Sequence, residues 1–319
     1  MRTAFIRSLI ELARSDQRIF LLVGDLGYGV VEPFAQEFSE RFVNVGVAEQ
    51  NLTGIAAGLA LSGKIVFTYS IANFPTLRCL EQIRNDVCYH NADVKIVAVG
   101  GGVAYGALGV THHGTEDIAI LRALPNMKVL CPADPVEAEL ATRAIAAAPG
   151  PAYLRLGKSG EPRIYRTPPV FEIGKAIEIL PGKEVVVLAT GSVVRNAIEA
   201  CQNLAENGIE VGIYSVHTIK PLDQELIARL ASQARMIVTV EEHSRLGGLG
   251  SAVAEIFTEV PNLRCQLKRI GLPDSFFQAA GSQEFLLSRY LSAAALEESI
   301  MESCSLGKGT SLGASAIGS

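Results

Sequence analysis

The chain of 319 residues contains no tryptophan, and charged residues make up only 19% of it. Soluble proteins usually carry about 25% charged residues, so this sequence has an unusually small supply of charged surface. Apolar residues make up 49%, which excludes an intrinsically disordered chain. The composition indicates helices that cover both faces of a sheet or a wide subunit interface. At about 100–200 residues per domain, the length predicts two domains.

Three further absences narrow the class of function. The net charge is −5, and without a basic excess we expect no nucleic-acid partner and no anionic membrane. The longest uncharged stretch, residues 96–113, contains five glycines and is unlike a membrane helix. The six cysteines form no C-x-x-C pair, and charges at Arg2, Arg7 and Glu11 are not those of a signal peptide. We therefore expect a soluble, cytoplasmic protein with reduced thiols.

Short β-branched runs alternate with longer helical patterns along the chain. The strands that we predict are at 19–23, 42–45, 64–69, 94–99, 127–131, 152–156, 185–189, 211–216, 236–240 and 267–270. The helices that we predict are at 3–14, 48–61, 75–90, 135–148, 194–206, 223–232, 249–260, 283–290 and 293–303. Apolar strands separated by helices indicate mostly parallel sheets covered on both faces. The sequence thus predicts an α/β fold of two three-layer αβα domains.

A polar connector interrupts this alternation after residue 157. It contains three prolines between residues 158 and 169, which are typical of a break between domains. We therefore predict one domain over residues 1–165 and a second over residues 170–305. The remaining residues, 306–319, are rich in Gly, Ser and Ala and predict a flexible tail.

The glycine clusters of the chain form no nucleotide-binding fingerprint. Residues 24–29, 100–106 and 247–250 lack the G-x-G-x-x-G spacing. Residues 58–65 are close to a P-loop, but Ile65 stands where Ser or Thr must contact magnesium, and a predicted helix precedes the segment instead of a strand. These absences disfavour a nucleotide-binding oxidoreductase and an NTP hydrolase.

The most informative segment runs from Arg41 to Gly63. A predicted strand ends at Gly46, and Glu49 then opens a helix of small residues. A carboxylate in the first turn of a helix is favoured by the helix dipole. From the residues alone, Glu49 is either a helix-capping acid or a buried general acid/base at the carboxyl edge of the sheet, where α/β sites lie.

This segment, with its A-E-Q sequence after a strand, resembles the pyrimidine-binding domain of thiamine-diphosphate enzymes, in particular the transketolase family. The resemblance implies that Glu49 hydrogen-bonds the aminopyrimidine and promotes ylid formation on thiamine diphosphate. Asp25 matches the family's D-L segment, although the residues alone also fit a plain turn. Phe74 is the implied stacking ring, with Phe67 and Tyr69 behind it; aromatics packed in the core remain the alternative.

Residues 106–117 (GALGVTHHGTED) resemble the family's G-x-D-G-x-T-H loop. The resemblance implies that His112 contacts the donor's carbonyl or hydroxyl end and assists proton transfer there, with His113 also in the substrate site. A solvated loop remains the alternative, and without further ligands at helical spacing we predict no metal site on this chain. Leu108 replaces an aspartate that reads a sugar hydroxyl in transketolases, so an ordinary pentose-phosphate role is not implied.

Two cations match positions that bind the substrate's anionic group in related enzymes. Arg78 matches a phosphate-contacting arginine of deoxyxylulose-phosphate synthases, and Lys158 stands where related enzymes place an arginine. Two cations at one anion would select a phosphorylated or sulfonated substrate, although a lysine lacks the bidentate fork of an arginine. Singly, each such cation is more often a surface charge.

The second half, including EEHSRLGGLGSAVAE, resembles the family's carboxy-terminal domain, with Glu242 and His243 as candidate subunit contacts. The G-D-G sequence that holds diphosphate and magnesium in the family is absent. The resemblance therefore implies the C-terminal subunit of a split transketolase, which transfers a two-carbon ketol unit from a ketose, preferably phosphorylated, to an aldose. A separate subunit would hold the diphosphate and Mg²⁺ in an α2β2 assembly. The beta subunit of a 2-oxo acid dehydrogenase and a non-catalytic regulatory subunit of the same fold are the alternatives.

Overall fold

A computed structural model describes residues 1–278 and 281–306. The predicted tail therefore lies outside the described residues, except for Leu306, which ends the last helix. Across the described residues, the strands are β1 (Ile19–Val23), β2 (Phe42–Asn44), β3 (Ile65–Ile71), β4 (Val94–Val99), β5 (Lys128–Leu130), β6 (Ala152–Leu156), β7 (Ile177–Leu180), β8 (Val185–Thr190), β9 (Val211–Ser215), β10 (Thr218–Lys220), β11 (Met236–Ser244) and β12 (Gln266–Leu272).

The α-helices surround these strands and follow the predicted alternation. They are α1 (Arg2–Ser15), α2 (Glu32–Glu37), α3 (Glu49–Leu61), α4 (Leu80–Gln82), α5 (Asp117–Arg122), α6 (Pro135–Ala147), α7 (Val194–Glu206), α8 (Gln224–Gln233), α9 (Leu249–Glu259), α10 (Gln283–Leu287) and α11 (Ala293–Leu306). Helix α6 shows the local cause of a helix start: the Asp134 carboxylate accepts from the Glu137 N–H at 2.8 Å, and Pro135 occupies the first turn. None of the described helices is long and apolar enough to cross a membrane.

The first sheet has seven strands in the order β10-β5-β6-β4-β3-β1-β2, all parallel except β10. Strand β2 pairs with one side of β1, and the chain then returns to add β3 on the other side. The carboxyl ends of β1 and β3 therefore flank a topological switch point, where ligands bind in open α/β sheets. The segments before Glu49 and after Ile71 both reach this edge.

The second sheet has the order β12-β11-β8-β9-β7, with β7 antiparallel at the edge. The strands β4, β6 and β8 are buried along their whole length, as expected when helices cover both faces. The predicted α/β fold of two parallel-sheet-rich domains is therefore confirmed. The boundary between them stays a prediction.

Several features differ from the sequence-based expectation, and strand β7 and helices α2 and α5 had not been predicted. The helix predicted over residues 75–90 is wrong in its first part: residues 72–79 form turns, α4 is one short turn, and a π-helix follows over Ile83–Cys88. The Thr76 hydroxyl donates to Ala72 O at 2.6 Å and stabilises this turn. Strand β10 was not predicted. It belongs to the second half of the chain but pairs with β5 of the first sheet.

Candidate active site

Glu49 is the first residue of α3 and lies at the switch point of the first sheet. Its side chain is 2% exposed, and its Oε2 accepts from Arg78 Nη1 at 2.6 Å. Gln50 supports this pair, because its Nε2 donates to the backbone oxygen of Arg78 at 3.1 Å. Gly24, after β1, packs against the Glu49 side chain: a Cβ there would lie 3.7 Å from Glu49 Cγ. A buried, ion-paired carboxylate therefore lies at the carboxyl edge of the sheet.

Phe74 and His112 continue from this ion pair. Arg78 Cζ lies 4.8 Å from the centroid of the half-buried Phe74 ring, a distance at which a guanidinium is attracted to an aromatic face. The Phe74 ring also makes an edge-to-face contact with His112, at 5.2 Å between centroids and 65°. The turn that replaces the predicted helix start thus brings Phe74 and Arg78 to the site.

His112 extends the contacts to a second cation. Its ring lies 6.2 Å from that of Tyr105, and Lys158 Nζ lies 4.9 Å from the centroid of Tyr105. The Thr111 hydroxyl is 3.0 Å from His112 Nδ1 and orients the imidazole. We call the resulting continuous set of side chains the contact row: Glu49, Arg78, Phe74, His112, Tyr105 and Lys158.

Asp25 lies beside the contact row, at the end of β1. It has φ +57° and is held by Asn44 Nδ2 at 3.0 Å and Tyr28 OH at 2.8 Å, both of which donate to its Oδ1. These hydrogen bonds hold the pKa of the Asp25 carboxyl below its usual value. The adjacent Gly24 packs against the Glu49 side chain.

Phe67 and Tyr69 lie elsewhere, in the core between β3 and α1. Their rings pack on Phe5, with centroids 6.1 Å and 5.9 Å away. Phe67 is fully buried and Tyr69 is 3% exposed, and burial raises the pKa of the Tyr69 hydroxyl. The structure does not bring either ring to the contact row.

His113 points away from its neighbour His112. It is 3% exposed and packs edge-to-face on Phe277 of the second domain. Burial lowers the pKa of this imidazole, which favours its neutral form. The two adjacent histidines therefore occupy different environments, and the one at the contact row is His112.

The expectation that Glu242 and His243 form subunit contacts is wrong. They are 1% and 0% exposed in the single chain, where they pack between the two domains. His243 Nε2 accepts from the Ala119 N–H at 3.3 Å, at the start of α5. The sequence around them, an apolar strand followed by glycines, did not indicate that they lie between the two domains, because contacts between domains join residues that are far apart in the sequence. Tyr105 was also missed, although its position immediately before the segment 106–117 could have indicated a place in the site.

Comparison with known proteins gives the family. Residues 1–162 match the transketolase pyrimidine binding domain, and residues 174–295 match the transketolase C-terminal domain. A subunit of an apulose-4-phosphate transketolase from Phocaeicola vulgatus is 40% identical over 285 residues, which cover 89% of this chain and 90% of that protein. A subunit of a 6-deoxy-6-sulfo-D-fructose transketolase from Clostridium sp. is 38% identical over 291 residues, covering 91% and 89%.

A solved structure agrees with these relatives. It is described as a split gene transketolase in an inactive beta4 tetramer, and it matches with a TM-score of 0.85 at 38% identity. The match covers 96% of this chain and 98% of that chain. The chain therefore belongs to the transketolase family and carries its pyrimidine-binding and C-terminal domains.

Proposed function

We propose that this chain is the C-terminal subunit of a split transketolase, a cytoplasmic ketol transferase that is active only with a partner subunit. It transfers a two-carbon ketol unit from a ketose to an aldose. The observation that carries the proposal is the contact row, which joins a buried carboxylate, an aromatic ring, a histidine and two cations at the switch point of the sheet.

The residues at the site fit thiamine diphosphate, as judged from the hydrogen bonds of Glu49. Among the described residues, this side chain accepts one hydrogen bond, at Oε2 from Arg78 Nη1, so its Oε1 is left for a hydrogen bond to a ring nitrogen. Glu49 and Phe74 would hold the aminopyrimidine, the carboxylate by a hydrogen bond and the ring by stacking, with Asp25 nearby. Bound thiamine diphosphate supplies the nucleophilic carbon chemistry of ketol transfer.

Glu49 holds or releases a proton at its carboxylate. The first turn of α3 carries this carboxylate, and Arg78 fixes the orientation of one of its oxygens. Burial at 2% exposure excludes water from this oxygen pair, which strengthens a hydrogen bond to a ligand nitrogen.

His112 acts on the substrate. The edge contact with Phe74 and the hydrogen-bond distance to Thr111 leave its Nε2 side for a ligand. Donation from this nitrogen to a carbonyl or hydroxyl oxygen stabilises negative charge that develops there. The chain therefore provides Glu49 for proton transfer at the cofactor and His112 for proton transfer at the substrate.

The substrate carries an anionic terminal group in this proposal. Arg78 and Lys158 lie at opposite sides of His112 along the contact row, and both related subunits named above act on phosphorylated or sulfonated sugars by their names. Leu108, four residues before His112, is 56% exposed, and its side chain offers no hydrogen bond to a sugar hydroxyl. We therefore place the phosphate or sulfonate at one of the two cations.

The partner subunit completes the cofactor site. Because this sequence has no G-D-G, we propose that the partner holds the diphosphate and Mg²⁺, most simply in an α2β2 assembly. Two apolar side chains at the edge of the site support a docking surface there, since Val47 is 76% and Tyr28 is 73% exposed.

The test is ketol transfer by this chain co-expressed with its partner. Glu49→Ala is expected to lower kcat by about 100-fold or more, the usual contribution of acid–base catalysis. Glu81→Ala, which removes an exposed carboxylate of the same region, is the matched control and is expected to keep full activity. Transfer within tenfold of wild type in Glu49→Ala contradicts the assignment, and so does an enzyme that consumes 2-oxo acids instead of ketoses.

A further inference from the structure

The loop that carries His112 is closed at its base by a two-residue β-bridge. Gly102 N donates to Gly114 O, and Gly114 N donates to Gly102 O, both at 2.8 Å. We call the residues between them, 103–113, the His112 loop, which also includes Tyr105. Because both ends of the loop meet at this bridge, the bridge sets where the histidine stands in the contact row.

The base of the loop rests on Glu242, which belongs to β11 of the second domain. Glu242 Oε1 accepts from the Val103 N–H at 2.8 Å. Gly102 has φ +68°, and a Cβ there would lie 2.3 Å from the same oxygen. Only glycine meets both demands, the left-handed backbone and the close approach.

Glu242 is in turn held by side chains of the second domain. Its Oε2 accepts from Ser192 Oγ at 3.0 Å, and both oxygens accept from Gln283 Nε2 at 2.9 Å. Burial raises the pKa of this carboxyl, and the charge of Arg155 opposes that rise. A buried carboxylate with this many donors is confined to one position, because each lost partner leaves an unpaired buried group.

Arg155 of β6 holds the other side of the base. Its Nη2 donates to Gly114 O at 2.8 Å and to the backbone oxygen of Glu242 at 2.9 Å. Its Nε donates at 2.7 Å to Asp117, which begins α5 directly after the loop. The loop base is thus fixed from the first domain by Arg155 and from the second domain by Glu242.

We propose that Glu242 is a positioning residue, which sets the place of His112 through the base of the loop. The second domain thereby contributes to catalysis without contact with the reacting atoms. The catalytic part of this inference rests on the proposed function, whereas the structural part rests on the contacts alone. A cavity of about 510 Å³ adjoins Glu242, so water can fill the space left by Glu242→Ala and the variant is expected to fold.

Hydrogen exchange of this chain tests the structural part. Glu242→Ala is expected to speed amide exchange in residues 102–114 by about tenfold, because the Val103 N–H and the bridge lose their support. Glu242→Gln keeps an oxygen that accepts from Val103, so it is expected to retain most of the protection. Unchanged exchange of the loop in Glu242→Ala overturns the proposal.

Glu241→Ala is the matched control. Glu241 is the neighbouring carboxylate and is equally buried, but its oxygens accept from the N–H groups of Leu249 and Gly250 at the start of α9. Its loss is expected to speed exchange at the start of α9 and to leave the His112 loop protected. Faster exchange of the loop in both variants would show general loosening and would overturn a specific role for Glu242.

A double-mutant cycle in the assembled enzyme tests the catalytic part. Glu242→Ala is expected to lower kcat by about 100-fold, as small displacements of catalytic groups do, and Glu242→Gln to restore it to within about fivefold of wild type. In a His112→Ala background the effect of Glu242→Ala is expected to shrink to about threefold. Glu242 acts through His112 in this proposal, so its loss matters little once the imidazole is gone. An equal loss in both backgrounds overturns the positioning role. An assembled wild type without ketol transfer overturns the proposed function, while hydrogen exchange still decides the structural part.

Discussion

Three aromatic residues of one short segment lie in different surroundings for a simple geometric reason. Side chains alternate along a strand, so Phe67 and Tyr69 of β3 share one face and pack against α1. Phe74 comes after the strand has ended, in a turn at the carboxyl edge, where its ring stays half-buried. The sequence predicted aromatic residues near the cofactor, but it did not separate a ring in the core from a ring at the site, because that depends on where β3 ends.

Exchange of these rings for alanine distinguishes them. Phe74→Ala is expected to weaken thiamine diphosphate binding by the assembled enzyme by about 2- to 12-fold, the worth of one aromatic stacking contact. Phe67→Ala is expected to lower the free energy of unfolding by about 3–5 kcal/mol, because it opens a cavity in the core. Calorimetric titration and urea unfolding measure the two effects. A Phe67→Ala enzyme whose folded fraction binds the cofactor more weakly than Phe74→Ala would reverse the assignment.

The elements that the sequence predicted well are those whose signal is local. Apolar runs such as Val94–Val99 and Val185–Thr190 and the cap at Asp134 reach the structure almost unchanged. Strand β10 was missed because three residues carry little periodicity and its partner is β5, about 90 residues earlier. The turn around Phe74 was missed because the predicted helix began at Pro75, a residue type that suits a turn as well as a first helical turn, whereas the helix begins only at Leu80. The existence of β10 thus depends on pairing between residues that are far apart in the sequence.

The connection between β9 and β10 contains a buried histidine that makes this element sensitive to acid. His217 is fully buried and stacks on Phe171 at 3.9 Å, and burial lowers the pKa of its imidazole to about 4. The unfolded chain takes up this proton below a pKa of about 6.5, whereas the folded chain does not until about pH 4. Stability contributed by this group is therefore complete above pH 6.5 and is lost as the pH falls, by up to about 1.4 kcal/mol per unit.

Urea unfolding of wild type and His217→Gln at pH 7.5, 5.5 and 4.5 measures this loss. The free-energy difference between the two proteins is expected to shift against the wild type on acidification, by about 2–3 kcal/mol over the whole range. His90→Gln makes the same exchange at an exposed position and serves as the control. Parallel pH profiles for wild type and His217→Gln would contradict the prediction.

At the scale of the whole molecule, the two domains are joined more closely than the polar connector suggests. Strand β10 of the second half completes the first sheet, and the Cys131 N–H donates to His217 O at 2.7 Å. Arg155 and Glu242 join the domains again beneath the His112 loop. Because the two domains bury part of each other's surface, the chain needs fewer charged residues, which is consistent with their small share of 19%. The exposed apolar residues at the edge of the site would also be buried if the partner subunit docks there.

The division of the cofactor between two subunits gives the last prediction. This chain offers a carboxylate and a ring to the aminopyrimidine, whereas the charged diphosphate needs magnesium and donors that we assign to the partner. Alone, the chain is therefore expected to bind magnesium–thiamine diphosphate at least about 100-fold more weakly than the assembly does, since charge-assisted bonds to the diphosphate contribute much of the affinity.

Thiamine without its diphosphate is the matched ligand for this experiment. The isolated chain is expected to distinguish thiamine from magnesium–thiamine diphosphate by less than about threefold, because it contacts only the part that the two ligands share. The assembly is expected to prefer the diphosphate strongly and to lose pyrimidine contacts in Glu49→Ala. Titration calorimetry of the chain, the partner and the assembly gives the three affinities. Tight, stoichiometric binding of magnesium–thiamine diphosphate by this chain alone would mean that its own residues hold the diphosphate, and the divided site would be wrong.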